Sequence, residues 1–565
     1  MTMPSSLQIA QDAALRPVAD IAQEMGLLPD EIELYGNHKA KIRLDVLDRL
    51  ADRPDGKEII VTAITPTPLG EGKTTTTIGL AQGLNRLGVR AAVAIRQPSL
   101  GPVFGIKGGG AGGGYSQVLP MEDINLHFTG DIHAITAAHD LGAAFLDNHL
   151  LRGNALGMDP STIRWPRVLD VNDRILRRIS LGVGETTGQR EGEFHITAAS
   201  EVMAVLALAN DLQDLRRRIG RIIVAETSDG QAVTLQDLRV AGAMTVLLRD
   251  ALKPNLVQTV EGGPAFVHAG PFANIAHGNS SVVADRVALK LNDAVCTEGG
   301  FASDMGFQKF IDIKCRLSGL RPSAAVIVAT IRALKMHGGV GKVVAGQPLD
   351  PALLVEDPEA VRRGAENLRQ HLAIVANYGV PAVVAINTFP ADHDSEFQAV
   401  REVALEAGAR DVVVSRHFSD GGQGALELAR AVWAAAQSGA PDFRFLSRPG
   451  ASLREQISDI ATRVYGADGV DLAPQAEASL DAIARLGYGD VPVCMAKTQS
   501  SLSHDPALKG RPRGFRLPVR DARLFAGAGF VTAYCGNMMT MPGLPTRPAG
   551  EDVDIDADGR IVGLF

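Results

Sequence analysis

A strand-length apolar run over Lys57–Thr65 feeds a loop of Thr67, Pro68, Leu69, Gly70, Glu71, Gly72, Lys73, Thr74 and Thr75, and a Thr-rich helix start follows. That order suits phosphate chemistry. Gly70 and Gly72 let backbone N–H groups turn inward on an anion, and the helix N-terminus adds its dipole. Lys73 supplies a point charge for β- and γ-phosphates, and the Thr74 hydroxyl suits Mg²⁺ arriving with the nucleotide. The strict GxxxxGK[ST] spacing is not met, because Thr67 stands where the first glycine belongs. Binding of a nucleoside triphosphate is the expectation; the bland alternative is a glycine-rich turn with an incidental lysine.

Two further segments carry polar residues in suggestive places. Arg96 closes the next apolar run, where open α/β sheets bind ligands, and its guanidinium could neutralise a transferring phosphoryl group. The run Gly108–Gly114 behind it is either a backbone surface packed against something or a plain surface loop. His127, Asp131 and His133 then fall within seven residues, the density expected of acid–base chemistry. Asp131 follows Gly130, so it could instead cap a helix over Ile132–His139.

These residues need a scaffold. Short β-branched runs at 89–96, 217–227, 324–330, 380–387 and 411–416 alternate with helical patterns such as 74–88, where Leu80, Leu84 and Leu87 share a face. That rhythm predicts an α/β fold: a large P-loop NTPase-like domain with a mostly parallel sheet, plus two smaller α/β domains. Glycine-rich or proline-rich stretches at 337–350 and 438–450 place the expected boundaries, giving 1–345 for the nucleotide domain, 346–445 for the second and 446–565 for the third.

Composition excludes several classes. The 565 residues are 45% hydrophobic and 21% charged, enough apolar chain for a large core and too much for a disordered one. Net charge is −8, so neither nucleic acid nor an anionic membrane is expected as a partner. Asp12, Asp20 and Glu24 interrupt the N-terminus where a secretory signal needs an apolar run, and no apolar stretch reaches a membrane span. Four scattered cysteines form no CxxC pair, which favours a reducing, cytoplasmic setting.

Taken together, residues 65–77, 96–114, 125–135, 252–281, 310–316, 494–506 and 541–549 resemble the formate–tetrahydrofolate ligase family over nearly the whole chain. The resemblance implies a ligase that makes 10-formyltetrahydrofolate from formate, ATP and tetrahydrofolate through formyl phosphate. It implies that Lys73 and Arg96 hold formyl phosphate, that Asp131 orients it or accepts a proton, and that His127 assists. Phe389 and Phe418 follow successive strands, and by resemblance they clamp the pterin about 7 Å apart; otherwise they are hydrophobic plugs. A monovalent cation (K⁺ or NH₄⁺) and a homotetramer are implied likewise, with Mg²⁺ arriving on ATP; because the phosphate loop begins near residue 65, no dehydrogenase–cyclohydrolase unit is expected before it, and a monofunctional ligase is the expectation. The arginines at 164–178 and 216–218 could meet the glutamate tail of a polyglutamylated folate, or they are solvated helix faces.

Three positions depart from the family's usual pattern: Gln97 for glutamate, Phe418 for tryptophan and Ser500 for tyrosine. They leave Lys73, Arg96 and Asp131 untouched, but smaller ring area at Phe418 predicts weaker pterin binding. Two competing functions are a regulatory P-loop ATPase and an inactive paralogue that binds nucleotide or folate.

Overall fold

A computed structural model describes residues 3–105, 110–183, 189–344 and 346–564. Gly108 and Gly109 of the glycine run therefore lie outside the described residues.

The centre is a sheet of 12 strands. Seven of them run parallel: β1 (Lys57–Ala63), β2 (Ala91–Ile95), β3 (Pro264–Val267), β4 (Ala294–Glu298), β5 (Ala324–Ala329), β6 (Ala382–Asn387) and β7 (Asp411–Ser415). Their spatial order is β3-β2-β4-β1-β5-β6-β7, so the strand before the phosphate loop sits in the middle. Antiparallel strands Asn255–Thr259, Ala40–Ile42 and Ile32–Leu34 extend the sheet beyond β3. The parallel strands are almost wholly apolar because helices cover both faces; β2, β4, β5 and β6 are buried along their whole length.

This topology decides where chemistry can occur. Parallel strands present all their carboxyl ends at one edge, and ligands of open α/β sheets bind there. The Thr67–Thr75 loop, Arg96, Glu298, Thr330, Phe389 and Phe418 all follow strands ending at that edge.

The helix Lys73–Arg86 packs closely on the helix His417–Gly424. A Cβ on Gly79 would stand 2.5 Å from His417 Cβ, so glycine is needed at this crossing. Thr76 and Thr77 turn their hydroxyls back onto the carbonyls of Gly72 and Lys73. Polar residues can thus occupy the buried face of this helix.

Two sequence expectations meet a different structure. The run 217–227 is not one strand: Leu212–Arg221 is a helix, and only Ile223–Glu226 is a strand, paired with Ala232–Thr234 outside the central sheet. Asp211 caps that helix at Asp214 N, 2.7 Å away, and Asp214 pairs with Arg218 one turn on, so helical spacing wins over the β-branched tail. The expected boundary at 345/346 is crossed by the sheet, since β6 pairs with β5 in register Ile327↔Val384. Residues after 446 carry small sheets of their own, including Val493–Ala496 between elements that share the main apolar core. No helix among the described residues is long and apolar enough to cross a membrane.

Candidate functional site

The phosphate loop is cross-braced from below. Gly70 and Gly72 adopt φ of 75° and 78°, the left-handed region that their lack of a side chain permits. At Gly72 a Cβ would also stand 2.4 Å from Asn387 Nδ2. Asn387 donates to the Glu71 carbonyl at 3.1 Å, and Arg332 donates to the Gly70 carbonyl at 3.0 Å. The Glu71 carboxylate points inward, accepting from Thr67 N at 2.6 Å and from the Thr330 hydroxyl. Glu71 therefore shapes the loop, and its side chain does not face the nucleotide side. Thr65, at the loop's root, is held by Asn367 and by His371 and His337. His337 in turn accepts from Gly510 N at 3.1 Å, which ties the loop to the C-terminal region.

Arg96 and Thr74 meet through a residue that sequence reading missed. Glu298, 5% exposed at the end of β4, accepts from Thr74 Oγ1 at 2.6 Å. Its other oxygen lies 3.6 Å from Arg96 Nη2. Because β4 lies between β1 and β2, its terminal residue falls between the loop after β1 and the arginine after β2. The only signal was an apolar run ending in an acid, a pattern too common to single out at a separation of 224 positions from Thr74.

Around this trio, buried polar atoms find no hydrogen-bond partner among the described residues: Thr67 Oγ1, Arg96 Nε and Gln97 Oε1. Such groups are costly unless something polar joins them, so they mark where a polar ligand would find partners. The backbone supports the same reading. Ala269 and Phe301 hold φ of 53° and 62°, and strained non-glycine residues concentrate at functional sites. Ala269 accepts from Gln97 N at 2.7 Å, and Phe301 follows the turn after Glu298.

Asp131 begins the helix Asp131–Leu151, but Gly130 occupies the cap position and no side chain caps it. The carboxylate instead forms a buried ion pair with Lys41 at 2.7 Å and accepts from Asn255 Nδ2 at 2.7 Å. His268, one residue past β3, lies close to both charges, and burial pulls its pKa down to about 4. His127 is exposed on the turn before the helix. Asp170, for which His127 is only a minor electrostatic neighbour, has its carboxyl pushed up to about 6 by burial despite bonds from Ser99 Oγ (2.6 Å) and Leu100 N (2.9 Å). Asp170 thus braces the segment that follows Arg96.

Phe389 and Phe418 emerge at the same sheet edge, since Asn387 and Ser415 are register partners. The Arg332 guanidinium sits 4.0 Å from the centre of the Phe389 ring, and Asp392 accepts from Phe389 N at 2.8 Å. Phe418 is 43% exposed and lies against the glycine-rich segment; its Cε2 is 3.2 Å from where a Gly113 Cβ would stand. The Phe418 carbonyl accepts from Tyr115 N at 2.9 Å. Ser500 lies in the same C-terminal stretch as Lys497, which pairs with Asp304 at 2.7 Å in a fully buried contact.

The 216–218 arginines are structural. Arg218 is buried between Asp214 and the Ala528 carbonyl, Arg217 also reaches Asp214, and Arg216 donates to Gln236. All four cysteines are buried and free.

The sequence pattern of the family described as formate–tetrahydrofolate ligase matches residues 4–565. A protein of that name from Saccharopolyspora erythraea is 59% identical, with all of both chains covered. Relatives of the same name from Roseiflexus castenholzii and Desulforamulus reducens are 58% and 57% identical, again over all of both chains. The chain belongs to the formate–tetrahydrofolate ligase family.

Proposed function

We infer that this ligase, which makes 10-formyltetrahydrofolate from formate and tetrahydrofolate with ATP, does its chemistry where the Lys73 loop, Arg96 and Glu298 converge. The convergence of these three groups at one strand edge is the observation that carries the reading. ATP occupies the loop, with the amides of residues 70–75 and Lys73 on its phosphates. The hard oxygen donors Thr74 Oγ1 and Glu298 fit Mg²⁺, which would sit there with the nucleotide and polarise the phosphoryl oxygens.

Formate attacks the γ-phosphorus, giving formyl phosphate and ADP. Bringing that anion to about 4 Å from one phosphate charge costs about 4 kcal/mol at an effective dielectric near 20. Arg96, positioned by Glu298, offsets this repulsion and then holds the formyl phosphate together with Lys73. N10 of the folate attacks the formyl carbon, phosphate leaves, and a proton departs. Asp131 already bonds Lys41 and Asn255, so its role is to order the intermediate's surroundings; His127, exposed nearby, is the assisting group. Phe389, stiffened by Arg332, and Phe418 offer two faces for the pterin at the adjacent strand ends.

Scattered cysteines and an N-terminus without a signal-like apolar run support a cytoplasmic setting, and family resemblance supports a homotetramer and activation by K⁺ or NH₄⁺. Comparing turnover in K⁺, NH₄⁺ and Na⁺ tests the last. The decisive assay is ADP release with formate and tetrahydrofolate added singly and together. Full turnover requires both. Hydrolysis indifferent to them would instead mark a regulatory ATPase, and no turnover would mark an inactive paralogue.

A further inference from the structure

We propose that a cleft sharing no lining residue with the phosphate loop binds a small multivalent oxyanion. The cleft encloses about 430 Å³ between the segment around Trp165, the hairpin Ile179–Leu181/Arg190–Gly192 and Arg523 of the C-terminal region. Six arginines line it: Arg164, Arg167, Arg177, Arg178, Arg190 and Arg523. Among the described residues, two carboxylates, Glu191 and Glu193, line it with them. In a chain of net charge −8, this is a concentrated reversal of sign.

The internal neutralisation is incomplete. Asp147, behind the wall, takes both Arg167 (2.9 Å) and Arg190 (2.8 Å). Glu191 takes Arg178 at 3.1 Å, and Glu193 is engaged by His195 at 2.7 Å. Arg177 reaches two uncharged groups, the Met541 carbonyl at 2.9 Å and Met539 Sδ at 3.0 Å, and Arg523 bonds the Arg164 carbonyl. Asp147 can cancel only one of its two arginines, and His195, with its pKa lowered, brings Glu193 no positive charge, so among the described residues six guanidiniums face three carboxylates and three positive charges remain.

The surrounding groups register this field. Burial is the main cause that drives the His139 pKa down to about 3, and the Arg523 charge adds to it. The same arginine also lowers His195 and Glu193, behind burial for the first and the His195 hydrogen bond for the second. The floor is rigid: the Trp165 indole is 3% exposed, stacks on His139 at 4.0 Å and donates to the His139 carbonyl. Planar guanidiniums over a fixed floor form paired donors that fit carboxylate or phosphate oxygens. Three unbalanced cations call for an anion of about three charges, such as a polyphosphate or an oligocarboxylate.

The test is calorimetric titration of the full-length Lys73→Ala variant, which removes the phosphate-loop lysine, with tripolyphosphate and separately with a triglutamate peptide. One site per chain is expected for at least one probe, weakening at least tenfold in 0.5 M NaCl. In the same background, Arg164→Gln/Arg523→Gln should weaken that site by about tenfold or more. Arg177→Gln alone, at an exposed position, should weaken it less and serves if the double variant melts early. The probe that binds identifies the source, phosphate or carboxylate. The same substitutions in the otherwise native chain should leave turnover with saturating substrates within twofold. Saturable binding by neither probe, or binding indifferent to the arginine substitutions, would overturn the proposal. A change of oligomeric state in the arginine variants without saturable anion binding would also overturn it, showing a contact between subunits instead.

Discussion

The two halves of the proposed site are built on different principles. The nucleotide half is buried and cross-linked: Glu71, Asn387, Arg332 and Thr330 bind one another or the loop backbone, and Glu298 takes the Thr74 hydroxyl. The folate half is two aromatic rings at the ends of neighbouring strands, one half-buried beneath Arg332 and one 43% exposed. Charge must be met by groups fixed in advance, because reorganising dipoles around a transferring phosphoryl group costs barrier height. A flat heterocycle needs only area and can be met by surfaces that stay wet until it arrives. Substitutions in the first half should therefore act on rate, and those in the second on substrate affinity.

The most severe test is Lys73→Ala. Loss of the loop's point charge should lower turnover by about 10³-fold with the melting temperature little changed. Near-normal activity would remove the loop from the chemistry. Glu298→Gln comes next. It keeps a hydrogen-bond acceptor for Thr74 but drops the charge facing Arg96, so kcat should fall about 10²-fold with a smaller change in KM for tetrahydrofolate. Arg96→Ser should give the same signature. A defect confined to tetrahydrofolate KM in either variant would merge the two halves and sink the contrast.

These two residues differ in how visible they are in sequence. Lys73 was legible because its loop is local: glycines, lysine and threonines fall within nine residues, between an apolar run and a helix start. Glu298 was not, because its partners come from β1 and β2, and only sheet order brings them together. The same logic covers the other misreadings. The glycine-rich stretch near 345 looks like a boundary, yet β6 still joins β5 beyond it, since turn composition says nothing about pairing across it. The 217–227 run looks like a strand until Asp211 and Asp214 are seen to cap and brace a helix. Asp131 looked like a cap or a catalyst; its bond to Lys41, a residue ninety positions away, was invisible.

A smaller effect is expected from Asp170, which braces the segment after Arg96. Burial raises its carboxyl from 3.8 to about 6, so the folded protein holds the proton that the unfolded chain has released. Stability is therefore greatest below about pH 4 for this group and is lost as pH rises toward 6, in total by about 3 kcal/mol. Asp170→Asn should flatten that part of the unfolding free energy measured between pH 4 and 7. Both bonds can survive the change, because the amide oxygen accepts from Leu100 N while its NH₂ donates to the Ser99 hydroxyl oxygen. An unchanged pH slope would show that Asp170 is not the titrating brace.

The finest distinction concerns Phe418. Its ring rests beside Gly113, where the absence of a side chain leaves room along the ring's edge, and 43% of it remains open to solvent. Family resemblance places tryptophan at this position, and an indole would add about 40 Å² of apolar face, worth about 1 kcal/mol if it is all covered by pterin. Phe418→Trp should then lower the KM for tetrahydrofolate about three- to fivefold with kcat and the KM for ATP unchanged. Phe418→Ala should move the same constant the other way by about tenfold. Because Phe418 also contributes its carbonyl to Tyr115 N, both variants keep that backbone bond, and any common effect on stability can be separated by melting. If neither substitution moves the folate constant, Phe418 is a plug against the glycine segment, and the folate half of the site must be sought around Phe389 and Arg332 alone.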